Sequence, residues 1–333
     1  MKRILCLVLS LLLVFAMTAC GGNNGSNDEA SGELDFSKLE AAILMPAVEG
    51  QIYVSLTYGC VAQAEELGMP TPVVLSAGGY GQLDTQISQV EDMIAAGKDI
   101  IIIMPLSKDG MAPVLDEAVE AGITVMEMGN VSNAELVKGR MLTDQITIGE
   151  MLGEACIESL NGQGNIVMFN GPAGASWSEL ETKGFLSAME KAPGINILAQ
   201  KYTEYDAGVA MNTMNDLLQT FSDIDYIYTA YDLYADGVLS ALEQAGRTDI
   251  KVSTVNLTTN NIGALKEGKL DYIVTTESVQ EGRDTMLSAI ALLKGEEIPP
   301  IQYCSLVGYR SEDITDSLDT SRMFYPQGWK VPL

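Results

Sequence analysis

The chain contains no histidine, which removes imidazole bases and His-ligated metals from the chemistry open to it. Cysteine is scarce: of 5 residues, Cys6 and Cys20 lie near the start, and Cys60, Cys156 and Cys304 are left as an odd set without metal-ligand spacing. Those three sit in apolar surroundings, the setting of buried free thiols rather than of a disulfide framework. Positive charge is also short. Lys and Arg number 19 against 45 Asp and Glu, for a net charge of -26. With no basic cluster to offset it, such a surface repels nucleic acid. Past the first residues, no apolar run reaches the ~20 residues of a membrane span. The stretch Gly78-Gly79-Tyr80-Gly81 lacks the Gly-Lys-Ser/Thr of a phosphate loop. Gly174-Ala175-Ser176-Trp177-Ser178 lacks the second Gly of a nucleophile elbow, and no His exists to activate Ser176. The sequence therefore points away from an enzyme, and no cofactor or metal is expected.

What is present begins with a leader. Lys2 and Arg3 precede an apolar run from Ile4 to Met17, then Thr18 and Ala19, the pattern of a secretory signal over residues 1–19. The stretch Met17-Thr18-Ala19-Cys20 resembles the lipobox of bacterial lipoproteins, which implies lipidation of Cys20 as the new amino terminus. Residues 21 to 33 carry almost nothing that could be buried, so 20–36 is expected to be a lipidated tether. The expected place is the outer face of the cytoplasmic membrane, held by lipid, or the periplasm side of it in a Gram-negative cell.

From Ala41 a pattern repeats: a short Ile- and Val-rich run, a polar loop, an amphipathic segment, then Gly. Strand-like runs cover 41–46, 72–77, 100–105 and 123–128, and Leu83, Ile87, Val90 and Ile94 keep one helix face apolar. The pattern restarts with 165–170, 195–201, 224–230, 250–256 and 270–276. Helices are expected to stop at Gly68, Gly97, Gly122, Gly162, Gly246, Gly268 and Gly295. Runs with few polar interruptions suit strands covered on both faces, so the fold class is α/β, with two Rossmann-like lobes built on parallel sheets. The junction falls around Leu142 to Gln145. Ligands of such sheets sit beyond the carboxyl ends of the strands, and two lobes facing each other make a cleft.

The run Ile52-Tyr53-Val54-Ser55-Leu56, the helix end Ala64-Glu65-Glu66-Leu67-Gly68, and Ile101-Ile102-Ile103-Met104-Pro105 resemble the ribose- and galactose-type periplasmic binding proteins. Asn170-Gly171-Pro172-Ala173-Gly174, Lys183-Gly184-Phe185, Tyr231-Asp232 and Gly237-Val238-Leu239-Ser240-Ala241-Leu242 continue the likeness in the same order. The resemblance implies the type 1 periplasmic binding protein fold, with crossings near Asp144, Thr276 and Cys304. It implies an amino-terminal lobe of 37–143 plus about 277–303 and a carboxyl-terminal lobe of 144–276 plus about 304–333. It also implies a monomer that captures a small polar ligand, such as a sugar or polyol, and hands it to the permease subunits of an ABC importer. A ligand sensor serving a signalling partner remains the alternative role.

The family's ligand contacts carry over in part. Its first-loop aromatics fall on Ile52 and Tyr53, its charged pair on Gly129 and Asn130, and its ligand-gripping Arg on Glu179, a reversal of sign. Its second-lobe positions fall on Tyr205, Tyr231, Asp232, Asn256 and Thr276. With Gln51 of the first loop and Trp177 of the Gly-rich turn, these are the candidate ligand residues, since aromatic faces stack on sugars and planar polar groups pair with hydroxyls. Each has a plainer use. Tyr53 fits a core position with Leu56 and Cys60, Trp177 can shield its turn, Asp232 can cap a helix, and Glu179 can be a solvated surface residue. Because tyrosines and a carboxylate also hold an ammonium group, a cationic or amine-bearing solute is the second ligand class.

Overall fold

The structure, a computed structural model, describes residues 34–79, 81–173, 175–202 and 206–333. The leader, Cys20, the tether as far as residue 33 and the candidate Tyr205 lie outside the described residues. Asp35 to Leu333 form one compact unit that contains two six-stranded sheets.

The chain alternates strands and helices in the order β1 (Ala41–Met45), α1 (Gln51–Glu66), β2 (Val73–Ser76), α2 (Leu83–Ala95), β3 (Ile100–Ile103), α3 (Lys108–Glu120) and β4 (Thr124–Gly129). After β5 (Gly139–Leu142) come α4 (Gln145–Ser159), β6 (Gln163–Asn170), α5 (Ser176–Met189), β7 (Gly194–Tyr202), α6 (Ala207–Thr220), β8 (Tyr226–Thr229) and α7 (Asp232–Ala245). The remainder is β9 (Lys251–Val255), α8 (Ile262–Lys266), β10 (Tyr272–Thr276), α9 (Ser278–Leu293), β11 (Ile301–Tyr303) and β12 (Leu306–Tyr309). One sheet runs β11-β5-β4-β3-β1-β2 and the other β12-β10-β9-β8-β6-β7. Every neighbouring pair is parallel except β10 and β12. The expected two α/β lobes are what the chain forms. It passes from one sheet to the other after β5, after β10 and after β11.

Local chemistry explains the element ends. Side chains of Ser107, Asp144 and Asp206 accept the backbone N–H of Gly110, Thr147 and Val209, satisfying donors that open α3, α4 and α6. Gly68 and Gly246 stop α1 and α7 at φ 79° and 68°, where a side chain would be strained. The central strands β1 and β3 are buried at every position because helices cover both faces. On one face of the first sheet α9 packs on β3, β4 and β5 and lies against α1. Methyl groups placed on Gly59 and Gly282 would come within 2.1 Å and 2.2 Å of the carbonyl oxygens of Val279 and Leu56, so only glycine permits that helix contact. The second sheet repeats the device, with Gly149 and Gly184 between α4 and α5. The three remaining cysteines are buried and free. Among the described residues, no helix is long and apolar enough to cross a membrane.

Candidate functional site

The loops at the carboxyl ends of the two sheets meet. Gln51 opens α1 directly after Gly50, whose φ of 88° turns the chain out of β1. Its Oε1 accepts hydrogen bonds from the backbone N–H and the hydroxyl of Thr259, at 3.1 Å and 3.0 Å, and Thr259 belongs to the loop that follows β9 in the other sheet. Tyr53 is half-buried on the first turn of the same helix. Asn130, just past β4, donates from Nδ2 to the carbonyl of Pro105 beyond β3 at 3.2 Å, which ties two strand ends together. These residues form the first sheet's side of the cleft.

The second sheet supplies aromatic and acidic groups. Trp177 of α5 and Tyr231, which precedes α7, have ring centroids 6.4 Å apart, and Tyr231 lies 6.2 Å from Tyr234. A methyl group on Gly171 would sit 2.4 Å from the Trp177 ring, so the indole covers this backbone because no side chain is there. Asp232 opens α7. Burial pushes its carboxyl up to about 6 despite hydrogen bonding from the Asn256 side chain. Asn256 directly follows β9 and lies in the left-handed region at φ 67°, a conformation that Asn tolerates better than most residues. Its N–H bonds the carbonyl of Val274 at 2.8 Å, and its carbonyl accepts from Asn261 Nδ2 at 2.8 Å.

The structure therefore brings Trp177 beside Tyr231, Asp232 beside Asn256, and Gln51 onto the loop that Asn256 begins. Two candidates are placed otherwise. The Thr276 hydroxyl is buried and bonded to the Ser278 hydroxyl at 2.9 Å, within the crossing that leads from β10 to α9. Glu179 is exposed on α5, in a shallow groove with Thr182, Lys183, Leu186 and Tyr202. Residues that the sequence reading passed over also belong here. Thr259 and Asn261 build the loop that meets Gln51. Asn170 Oδ1, at the end of β6, and Ser178 Oγ, beside Trp177, are buried without a hydrogen-bond partner. Asn170 opens the Asn170-Gly171-Pro172 turn at a strand end, and nothing local in the sequence marks its oxygen as unsatisfied.

Such a cleft offers flat apolar rings, paired amides and one carboxyl, a set that matches the alternating C–H faces and hydroxyls of a small polar molecule. Among the described residues, no cluster of acidic or cysteine side chains could hold a metal ion. The xylitol-binding protein of Mycolicibacterium smegmatis is 29% identical over 221 residues, covering 65% of this chain and 62% of that protein's length. The ribose import binding protein of Escherichia coli is 25% identical over 257 residues, covering 77% of this chain and 86% of that protein. In structure, an ABC transporter solute-binding protein from Bradyrhizobium superposes with a TM-score of 0.81 at 24% identity, covering 88% of both chains. One from Actinobacillus succinogenes that holds D-allose superposes with a TM-score of 0.76 at 23% identity, covering 83% of this chain and 98% of its own. The sequence profile of the family described as "Periplasmic binding protein domain" matches residues 41–297, the whole span of both sheets short of β11 and β12, and the chain belongs to that family.

Proposed function

We propose that this protein captures a neutral sugar or polyol in the cleft between its lobes and delivers it to the permease of an ABC importer. The observation that carries the reading is the meeting of the two sheets' carboxyl ends, bridged by Gln51 and Thr259 and lined on one side by Trp177, Tyr231 and Asp232. Those ends are where parallel α/β sheets take ligands. The xylitol- and ribose-binding relatives support the solute class. A neutral solute is favoured over a cation by those relatives, and Glu179, the charge on which the cationic reading rested, is exposed beside Lys183 and Tyr202, which leaves Asp232 as the carboxyl a cation would have to meet.

A thermal-shift and calorimetric screen of xylitol, D-ribose, D-allose and choline tests the reading. A solute that binds only the folded protein at a hundredfold excess over Kd stabilises it by about 2.7 kcal/mol. Stabilisation by a neutral polyol, with the same polyol recovered unchanged, is the expected result. Binding of choline alone, or chemical conversion of the solute, would replace this reading.

Delivery to a permease calls for retention at the membrane, which we assign to a lipid on Cys20 after removal of the leader. In cells, Cys20→Ala is expected to move the mature protein from salt-washed membranes into the soluble extracytoplasmic fraction. Retention of the variant on washed membranes would rule the anchor out.

A further inference from the structure

The Gln51 side chain is committed across the cleft in a way that fixes its chemistry. A backbone N–H can only donate, so the amide must turn Oε1, not Nε2, toward Thr259, and the usual ambiguity of amide orientation is resolved. The Thr259 hydroxyl donates to the same oxygen, which occupies both of its lone pairs. The loop that carries Thr259 is held in advance. Asn261, 3% exposed, accepts the Thr258 N–H at Oδ1 over 2.8 Å, donates its own N–H to the Thr258 hydroxyl over 3.2 Å, and donates from Nδ2 to the Asn256 carbonyl over 2.8 Å. Thr259 itself is exposed and Gln51 is half-buried, so the bridge lies at the rim, where water competes for it.

We propose that Gln51 and Thr259 form a latch that holds the lobes together over the bound solute, with Asn261 as the positioning residue that presents Thr259. This rests on the solute-capture reading and deepens it. Two rim hydrogen bonds are weak enough to break with each opening, and strong enough to slow release. Because the oxygen of Gln51 is occupied, only its N–H2 group is left for a ligand, and any ligand atom it meets must be an acceptor, such as a hydroxyl oxygen, rather than an ammonium.

The mature protein is compared as wild type, Gln51→Ala, Gln51→Glu and Asn261→Ala, with circular dichroism melts as the control for folding. Without added solute, small-angle scattering should give a larger radius of gyration for Gln51→Ala and Asn261→Ala. Gln51→Glu should stay as compact as wild type, because a carboxylate oxygen still accepts both bonds. With xylitol and D-ribose in stopped-flow measurements, Gln51→Ala should release every solute that binds about three- to tenfold faster, with association nearly unchanged. The latch is overturned if Gln51→Ala is as compact as wild type, if Gln51→Glu expands like Gln51→Ala, or if the loss is confined to one solute. Should wild type bind neither probe nor D-allose, the sugar or polyol reading fails, while the scattering comparison still decides the latch.

Discussion

The two lobes solve the same packing problem alike and a second problem differently. Each seats a pair of helices on one face of its sheet through facing glycines, Gly59 and Gly282 in one and Gly149 and Gly184 in the other. Each also buries glutamate, Glu127 and Glu281 in the first and Glu181 in the second. In the first lobe Glu127 is fully buried on β4 and pairs with Arg140 Nε at 2.8 Å, while Ser132 donates to it from both its N–H and its hydroxyl. In the second, Glu181 on α5 is 1% exposed and its partner is the Tyr228 hydroxyl, donating at 2.7 Å. Burial raises both carboxyls, but serine and arginine oppose it at Glu127, whereas Glu181 is pushed up to about 8. A guanidinium favours the charged form of the carboxyl it meets, whereas a single hydroxyl leaves Glu181 a neutral acid at pH 7. The contrast is therefore between these two glutamates, since Glu281 on α9, against the first sheet, is a further buried carboxyl that burial raises to about 7.

The largest effect should come from cutting the charged tie. Arg140 also donates to the carbonyls of Val137 and Ala134, at 3.1 Å and 2.9 Å, so it pins the segment between β4 and β5 as well as Glu127. Arg140→Met leaves a buried carboxylate without its counter-ion, and should cost about 3–5 kcal/mol in denaturant unfolding. A loss below about 1 kcal/mol would mean that Glu127 simply takes up a proton, and the contrast between the two glutamates would disappear.

How far the sequence foretold this depends on the surroundings of each residue. Runs such as Ile100 to Ile103 were legible as strands because both faces are covered. The strands β5, β11 and β12 are not foreseen: they are only three or four residues long, and β11 and β12 lie at sheet edges, so any alternation is too brief to stand out. In the cleft, Tyr231, Asp232 and Asn256 lie just past strand ends, which a run of apolar residues marks in the sequence. The bond between Gln51 and Thr259 has no such mark, because it joins positions 208 apart with no local signature. Helix α5 carries a signal of this kind. Glu179 is exposed, whereas Glu181 shares the buried face with Ser178, Thr182 and Phe185, at the spacing of an inward helix stripe.

The smaller prediction tests the neutral acid directly. The folded protein holds a proton on Glu181 up to about pH 8, while the unfolded chain releases it near the ordinary value of 4.5. Between those limits the native state binds more protons than the unfolded one, so stability falls as pH rises, by up to about 1.4 kcal/mol per pH unit for one group. Glu281 on α9, pushed up to about 7 by burial, adds to the decline with the same sign. Glu181→Gln keeps an acceptor for the Tyr228 hydroxyl but cannot ionise. The variant should therefore match wild type at pH 4, exceed it by about 1–3 kcal/mol at pH 7, and show the shallower decline between them. Urea unfolding of both proteins at intervals from pH 4 to pH 8 reads this difference. Parallel curves across the range would mean that Glu181 is ionised in the fold, and that the contrast with the Arg140-paired Glu127 is lost.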